Sequence, residues 1–302
     1  MDDPRPTELE QLSIGHLMRM AGREVEEDDA DAPVPFLVAL HQRPVREVFE
    51  RAAALLNDGD ATRRILGVRI LRELGEQQPD GCRPFTGETI PLLRDRLRRE
   101  SEPDVLLWIV SALGFHCARE ALPEIAALAW HQDARVRFHV AANLTRLVDL
   151  RAVDAAAADA LIRLCHDDDA DTRYYALYAA TREIAGMNVE QVTTLTAELM
   201  SDPDDQISTM AVSHHQAIDT VRRYLNEQDP GRVFDPEIRA GEYDDMIGPI
   251  LVGLACEGGV AEIRDVLTEE ISRGFGRVSP HVDTTTMAQR LVTWWRKENT
   301  AS

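Results

Sequence analysis

Between residues 45 and 256 the apolar positions recur with a helical period rather than the alternation of a strand. From Asp133, the residues Val136, Val140, Ala141, Leu144 and Leu147 follow at spacings that place them on one face of a helix. The same pattern starts at Asp60 (Gly67, Val68, Leu71, Leu74) and at Glu102 (Val105, Ile109, Val110, Leu113). It starts again at Asp169 (Thr172, Ala176, Leu177, Ala180) and Asp204 (Ile207, Ala211, Val212, His215, Ile218), and more weakly at Asp244 (Ile247, Leu251, Val252, Ala255). Successive starts lie 42, 31, 36, 35 and 40 residues apart. The leading acid is a good N-cap, and its charge suits the positive end of the helix dipole.

A second amphipathic segment precedes each of the first five copies: Val45–Leu56, Thr89–Leu97, Leu122–Trp130, Val153–Cys165 and Val189–Met200. Pro91 and Pro123 fall near the starts of theirs, where a missing N–H costs little. Each unit is therefore a helix pair that cannot cover its own apolar face, so neighbours must stack.

The segments DARVRFHVAANLTRL (133–147), DADTRYYALYAATRE (169–183) and DATRRILGVRILREL (60–74) resemble HEAT repeats, including the PBS-lyase HEAT-like variety. The resemblance covers about residues 45–256 and implies an all-α fold, a right-handed α-α superhelix of about six to seven helix pairs. Three copies depart from it, with Leu106, Ser208 and Gly248 where an arginine such as Arg137 or Arg173 is usual. The expected organisation is one continuous solenoid: a capping helix (Thr7–Ala21) and acidic linker over 1–35, core repeats over 36–225, and degenerate repeats over 226–302. Two stretches, 226–243 and 272–283, interrupt the last part, and Val260–Ile271 with Thr284–Arg296 reads as its final helix pair. Trp294 and Trp295 would partly close that end or offer an apolar patch.

The resemblance also implies that the second helices line a concave wall, with solvent positions six, nine, ten and thirteen residues after each leading acid. Those positions supply the candidate partner-binding residues Trp108, Phe115, His139, Asn143, Arg146, Tyr175, Tyr178, Arg182 and His214. Aromatic and arginine side chains dominate binding hot spots, which favours a non-enzymatic scaffold or adaptor holding a protein or peptide. An immunity or antagonist protein fits the same pattern. Two alternatives come with the resemblance alone: a bilin lyase-like enzyme, and a HEAT-like DNA glycosylase using Arg137, Arg146, Arg173 and Arg182 as a stripe.

Composition narrows these readings. With 53 Asp+Glu against 33 Lys+Arg the chain carries a formal charge of -20, which opposes nucleic acid and anionic membranes and favours a basic partner. The longest apolar stretch, Val105–Phe115, is too short to span a bilayer. Four widely spaced cysteines read as reduced thiols of a cytoplasmic protein. No GxSxG, P-loop, GxGxxG or HExxH motif occurs, so neither catalysis nor a cofactor is expected. The pairs His116–Cys117, Cys165–His166 and His214–His215 point about 100° apart on a helix and share no ion easily. His215 falls on a core position and is expected inside. Asp167, Asp169 and Asp171 have the spacing of an EF-hand start, but Thr172 and Tyr178 replace its glycine and glutamate. They read as a turn and N-cap.

Overall fold

In the computed structural model, the structure describes residues 9–27, 32–79, 81–232, 241–276, 278 and 281–299. Among these there is no β-strand. The chain divides into two compact units, Met1–Leu147 and Val148–Ser302. The first holds α1 (Ile14–Glu27), α2 (Pro35–His41), α3 (Arg46–Leu55), α4 (Ala61–Glu73), α5 (Thr86–Leu97), α6 (Pro103–Phe115), α7 (Leu122–Ala127) and α8 (Ala134–Asn143). The second holds α9 (Ala155–Leu164), α10 (Ala170–Tyr178), α11 (Val189–Leu199), α12 (Asp205–Gln228), α13 (Asp244–Ala255), α14 (Val260–Phe275) and α15 (Thr284–Asn299).

The helices begin where the repeated acids place them. Asp60, Asp133, Asp169 and Asp204 cap α4, α8, α10 and α12, each accepting a backbone N–H of the first turn at 2.8–2.9 Å. Glu102 holds the cap position of α6 without a side-chain bond, and Tyr243 takes the place expected of Asp244 at α13. In the first unit α4, α6 and α8 pack side by side as one layer, with α3 and α5 behind them. Val105, Ile109, Leu113, Val140 and Leu144 are fully buried between the layers, as the period requires.

The recurring arginine has a structural task. Arg64 Nη1 donates to the carbonyls of Asp58 and Gly59 at 3.0 and 3.1 Å. Arg137 does the same to His131 and Gln132, and Arg173 to Asp167 and Asp168. Each guanidinium thus ties the loop before its own helix. Arg64 and Arg173 also reach forward, to Glu100 and Asp202, and so pin the next inter-repeat loop. Gly248 stands where α13 approaches its neighbour most closely: a Cβ there would lie 2.4 Å from the Ala185 carbonyl oxygen.

Several boundaries differ from expectation. The acidic segment 22–35 is helical as far as Glu27, and Glu24 within it caps α2 by accepting the N–H groups of Phe36 and Leu37, both at 2.9 Å. Thr7 and residues 28–31 lie outside the described residues, as do 233–240 of the first insertion and 277, 279 and 280 of the second. A division at 225/226 falls inside α12, whose buried stripe continues through Leu225. α5 starts at Thr86, so Pro91 lies within the helix and not at its start.

Candidate functional site

Both units carry a wall of half-exposed side chains on their second helices. In the first unit, Trp108 and Phe115 project from α6, His139 from α8, and Arg146 from the single 3₁₀ turn that extends α8 over Leu144–Arg146. The Arg69 guanidinium lies 4.6 Å from the Trp108 ring centroid. Arg72 lies 3.6 Å from Phe115 and 5.7 Å from Trp108, and Arg146 lies 5.0 Å from Phe115. Burial, and then the neighbouring Arg72 charge, holds His139 below the usual histidine range. Burial also lowers the Arg72 guanidinium, with Arg69, Arg146 and Arg83 adding repulsion and Glu73 opposing it.

In the second unit the wall opens into a groove of about 1270 Å³. Tyr174, Tyr178 and Arg182, Met210 and Ser213 of α12, and Trp295 of α15 are among the residues that line it. Tyr174 and Tyr178 stack at 6.2 Å, while Tyr174 and Tyr175 meet edge-on at 5.7 Å. Arg182 sits in a π-type turn, Ala179–Glu183, that extends α10, and its guanidinium lies 5.4 Å from the Trp295 centroid. Burial lowers the Arg182 pKa, with Tyr178 and Tyr174 opposing. Tyr175 and Tyr178 are 45% and 41% exposed, uncommon for residues of their size.

Two expected wall residues are interior. Asn143 and His214 are 7% and 5% exposed, and the matching residues Ala112 and Ala179 are buried too. At about 100° per residue, the tenth position after the acid falls at about 280°, beside the core position at about 300°. The sixth, ninth and thirteenth fall at about 180–240° and do form the wall. Asn143 fills the space left by Gly114, where a Cβ would lie 2.5 Å from its Oδ1, and its Nδ2 donates to the His139 carbonyl at 2.9 Å. The two histidines of α12 do not sit as expected. His214 is the buried one, pushed down to about 3 by burial, then by Arg182 and His215. Its Nδ1 has no hydrogen-bond partner. His215 is half-buried and bonded through Nδ1 to the Thr196 hydroxyl at 3.0 Å. Position 214 lies on the stripe 207, 211, 214, 218, 221 and 225, which buries the helix, and 215 does not.

Arg69, Arg72 and Tyr174 escaped the sequence as wall residues, whereas Trp295, one of the two tryptophans expected to close the end or offer an apolar patch, lines the groove. Arg69 is nine residues after Asp60, so the wall register extended to the first copy would have found it. Arg72 carries no such signal, since helix packing brings it to the rings it covers. Of the arginines proposed as a stripe, Arg137 and Arg173 are turned into inter-repeat loops. Among the described residues no group of three or more His, Cys, Asp or Glu side chains is placed to hold a metal ion. Nor is any helix among them long and apolar enough to cross a membrane.

A family model described as HEAT repeats matches residues 90–181. The crystal structure of YibA from Escherichia coli superposes with a TM-score of 0.58, covering 97% of this chain and 98% of that one at 15% identity. That likeness establishes the fold, an all-α HEAT-type solenoid. No curated protein sequence matches significantly.

Proposed function

Starting from a HEAT-repeat chain, we propose a non-enzymatic binding module that holds a segment of a protein partner against the wall of its second helices. The open groove of the second unit carries this reading. At about 1270 Å³ it exceeds the usual range for a small-molecule pocket, about 300–1,000 Å³, and has room for a stretch of polypeptide. Its lining includes two tyrosines, two arginines, a methionine and a tryptophan, the types that concentrate binding energy at interfaces, beside the carboxylates Glu183, Asp205 and Glu257. The side chains are also held in place before binding: Tyr174 stacks on Tyr178 and Arg182 covers Trp295, so little rotamer entropy remains to be lost. The absence of nucleophile, phosphate-loop and metalloprotease motifs supports binding without chemistry. A cytoplasmic setting belongs to the same reading, supported by cysteines too scattered in sequence for a disulfide framework.

The test is affinity capture from native lysate, comparing wild type with Tyr178→Ala and Trp295→Ala after circular dichroism shows equal helicity. The module reading expects a partner held by wild type and lost by both variants. Equal capture by all three would remove the groove from the function.

A further inference from the structure

The groove of the second unit is lined by carboxylates that no described cation engages. Glu183 ends the π-type turn that holds Arg182, Asp205 opens α12, and Glu257 follows α13. All three line the groove beside Tyr174, Tyr178 and Trp295. Each is exposed, and among the described residues none of their side chains makes an ion pair or a hydrogen bond. Other carboxylates of the same unit are taken: Asp202 by Arg173, Asp244 by Arg222, and Glu269 by Arg151 and Arg273. Glu257 stands at φ 58°, just past the cap of α13, where glycine is the usual residue. A glutamate there carries its charge at some conformational cost.

The groove's own cations leave that charge standing. Arg182 lies over the Trp295 ring, with burial the leading influence on its pKa, and Arg296 has a partner of its own. His214, which feels the Arg182 charge, is held neutral by burial. What meets an incoming side chain is therefore carboxylate and tyrosine, with Tyr178 still 41% exposed. The seating of Arg182 at 5.4 Å from the Trp295 centroid shows the pairing that the groove's rings accept. A guanidinium can lie flat on an aromatic face and still aim its in-plane N–H donors at carboxylates. An ammonium is a point charge without that fork.

We infer that the groove docks an arginine-rich segment of a protein partner, its guanidiniums set against the tyrosines and paired with Glu183, Asp205 and Glu257. The inference rests on the binding-module reading and gives the partner a sign and a residue type. The formal charge of -20 acts in the same sense, drawing a basic segment toward the protein before the groove selects it. Nucleic acid and acidic peptides would meet three carboxylates there and no free guanidinium. A small organic cation would leave most of about 1270 Å³ unfilled.

The experiment titrates a fluorescent oligoarginine peptide into the full chain and reads anisotropy, with oligolysine and oligoglutamate of equal length alongside. The groove variant is Glu183→Gln/Glu257→Gln, at two exposed positions. The control is Glu76→Gln/Glu120→Gln, which removes the same charge from exposed positions of the first unit. Oligoarginine should bind wild type and control alike, release on added salt, and bind the groove variant about tenfold more weakly. Oligolysine should bind wild type more weakly than oligoarginine, and oligoglutamate should not bind. Equal weakening by the two double variants would reduce the effect to net charge and overturn the inference. So would the absence of oligoarginine binding, or oligolysine binding as tightly. If Tyr178→Ala and Trp295→Ala lose a captured partner while the groove variant keeps full affinity for oligoarginine, this inference falls and the binding-module reading stands. If both single variants capture as wild type does while only the groove variant loses oligoarginine, that reading falls and the preference for arginine stands.

Discussion

Arg64→Ala tests the structural role of the repeat arginine most directly. The Arg64 and Glu100 side chains are 8% and 1% exposed, and Nε and Nη2 of Arg64 meet the two Glu100 oxygens at 2.9 and 3.1 Å. Glu100 also accepts from Arg96 and from the backbone N–H groups of Ser101 and Glu102. Truncating Arg64 leaves two loop carbonyls without their donor and a buried carboxylate with one cation fewer. Breaking a buried pair from one side costs about 3–5 kcal/mol. The comparison is Arg46→Ala, which removes an equally bidentate pair with Glu88, but one whose partners are both 53% exposed. An exposed pair is worth about 1 kcal/mol or less. Urea denaturation followed by circular dichroism at neutral pH reads both as midpoint shifts. Acid dependence gives a second readout. Burial works against the Glu100 charge, but Arg64, Arg96 and the two backbone donors outweigh it and hold its pKa below the ordinary value. A carboxylate depressed in the folded state stabilises above its unfolded pKa, about 4.3, and that stability is lost as pH falls through the lower folded value. Arg64→Ala should therefore flatten the acid limb as well as lower the midpoint. Equal midpoint shifts for Arg64→Ala and Arg46→Ala would refute the claim that this arginine ties one repeat to the next.

Further outcomes follow from the same geometry. Leu144→Ala, at a side chain with no exposure, should cost about 2–5 kcal/mol, and Asp133→Ala, a lost cap, about 1 kcal/mol; equal urea shifts would undo the repeat register. Gly114→Val should destabilise by about 1–3 kcal/mol, because its Cβ would meet the Asn143 amide; a neutral result in thermal unfolding would mean that Asn143 yields freely. His214 has its folded pKa pushed down to about 3. The unfolded chain thus binds a proton that the fold refuses, and stability falls as pH drops from about 6.5 toward that value. His214→Leu should remove that part of the loss and leave neutral-pH stability equal or higher, since it also removes an unpartnered Nδ1. An unchanged pH profile between 6 and 4.5, scanned by calorimetry at roughly those values, would contradict the burial of a neutral ring.

The helices and their pairing were legible because three-, four- and seven-residue spacings leave little freedom: the opening acid caps its helix in four of the six repeats, and the residues that follow reach the core. The wall was only partly legible, and the reason is angular. Position ten after the acid looks polar in two repeats, as Asn143 and His214, yet lies nearer the core than the wall. Each polar side chain there is tolerated on its own terms, Asn143 by fitting against Gly114 and His214 by remaining neutral. Periodicity places a residue on a face; it does not say whether a small neighbour has opened room for a polar one to turn inward. Arg72 shows the opposite failure. Its place depends on the Trp108 and Phe115 rings, which packing brings near from more than thirty residues away in sequence, and no local spacing encodes that.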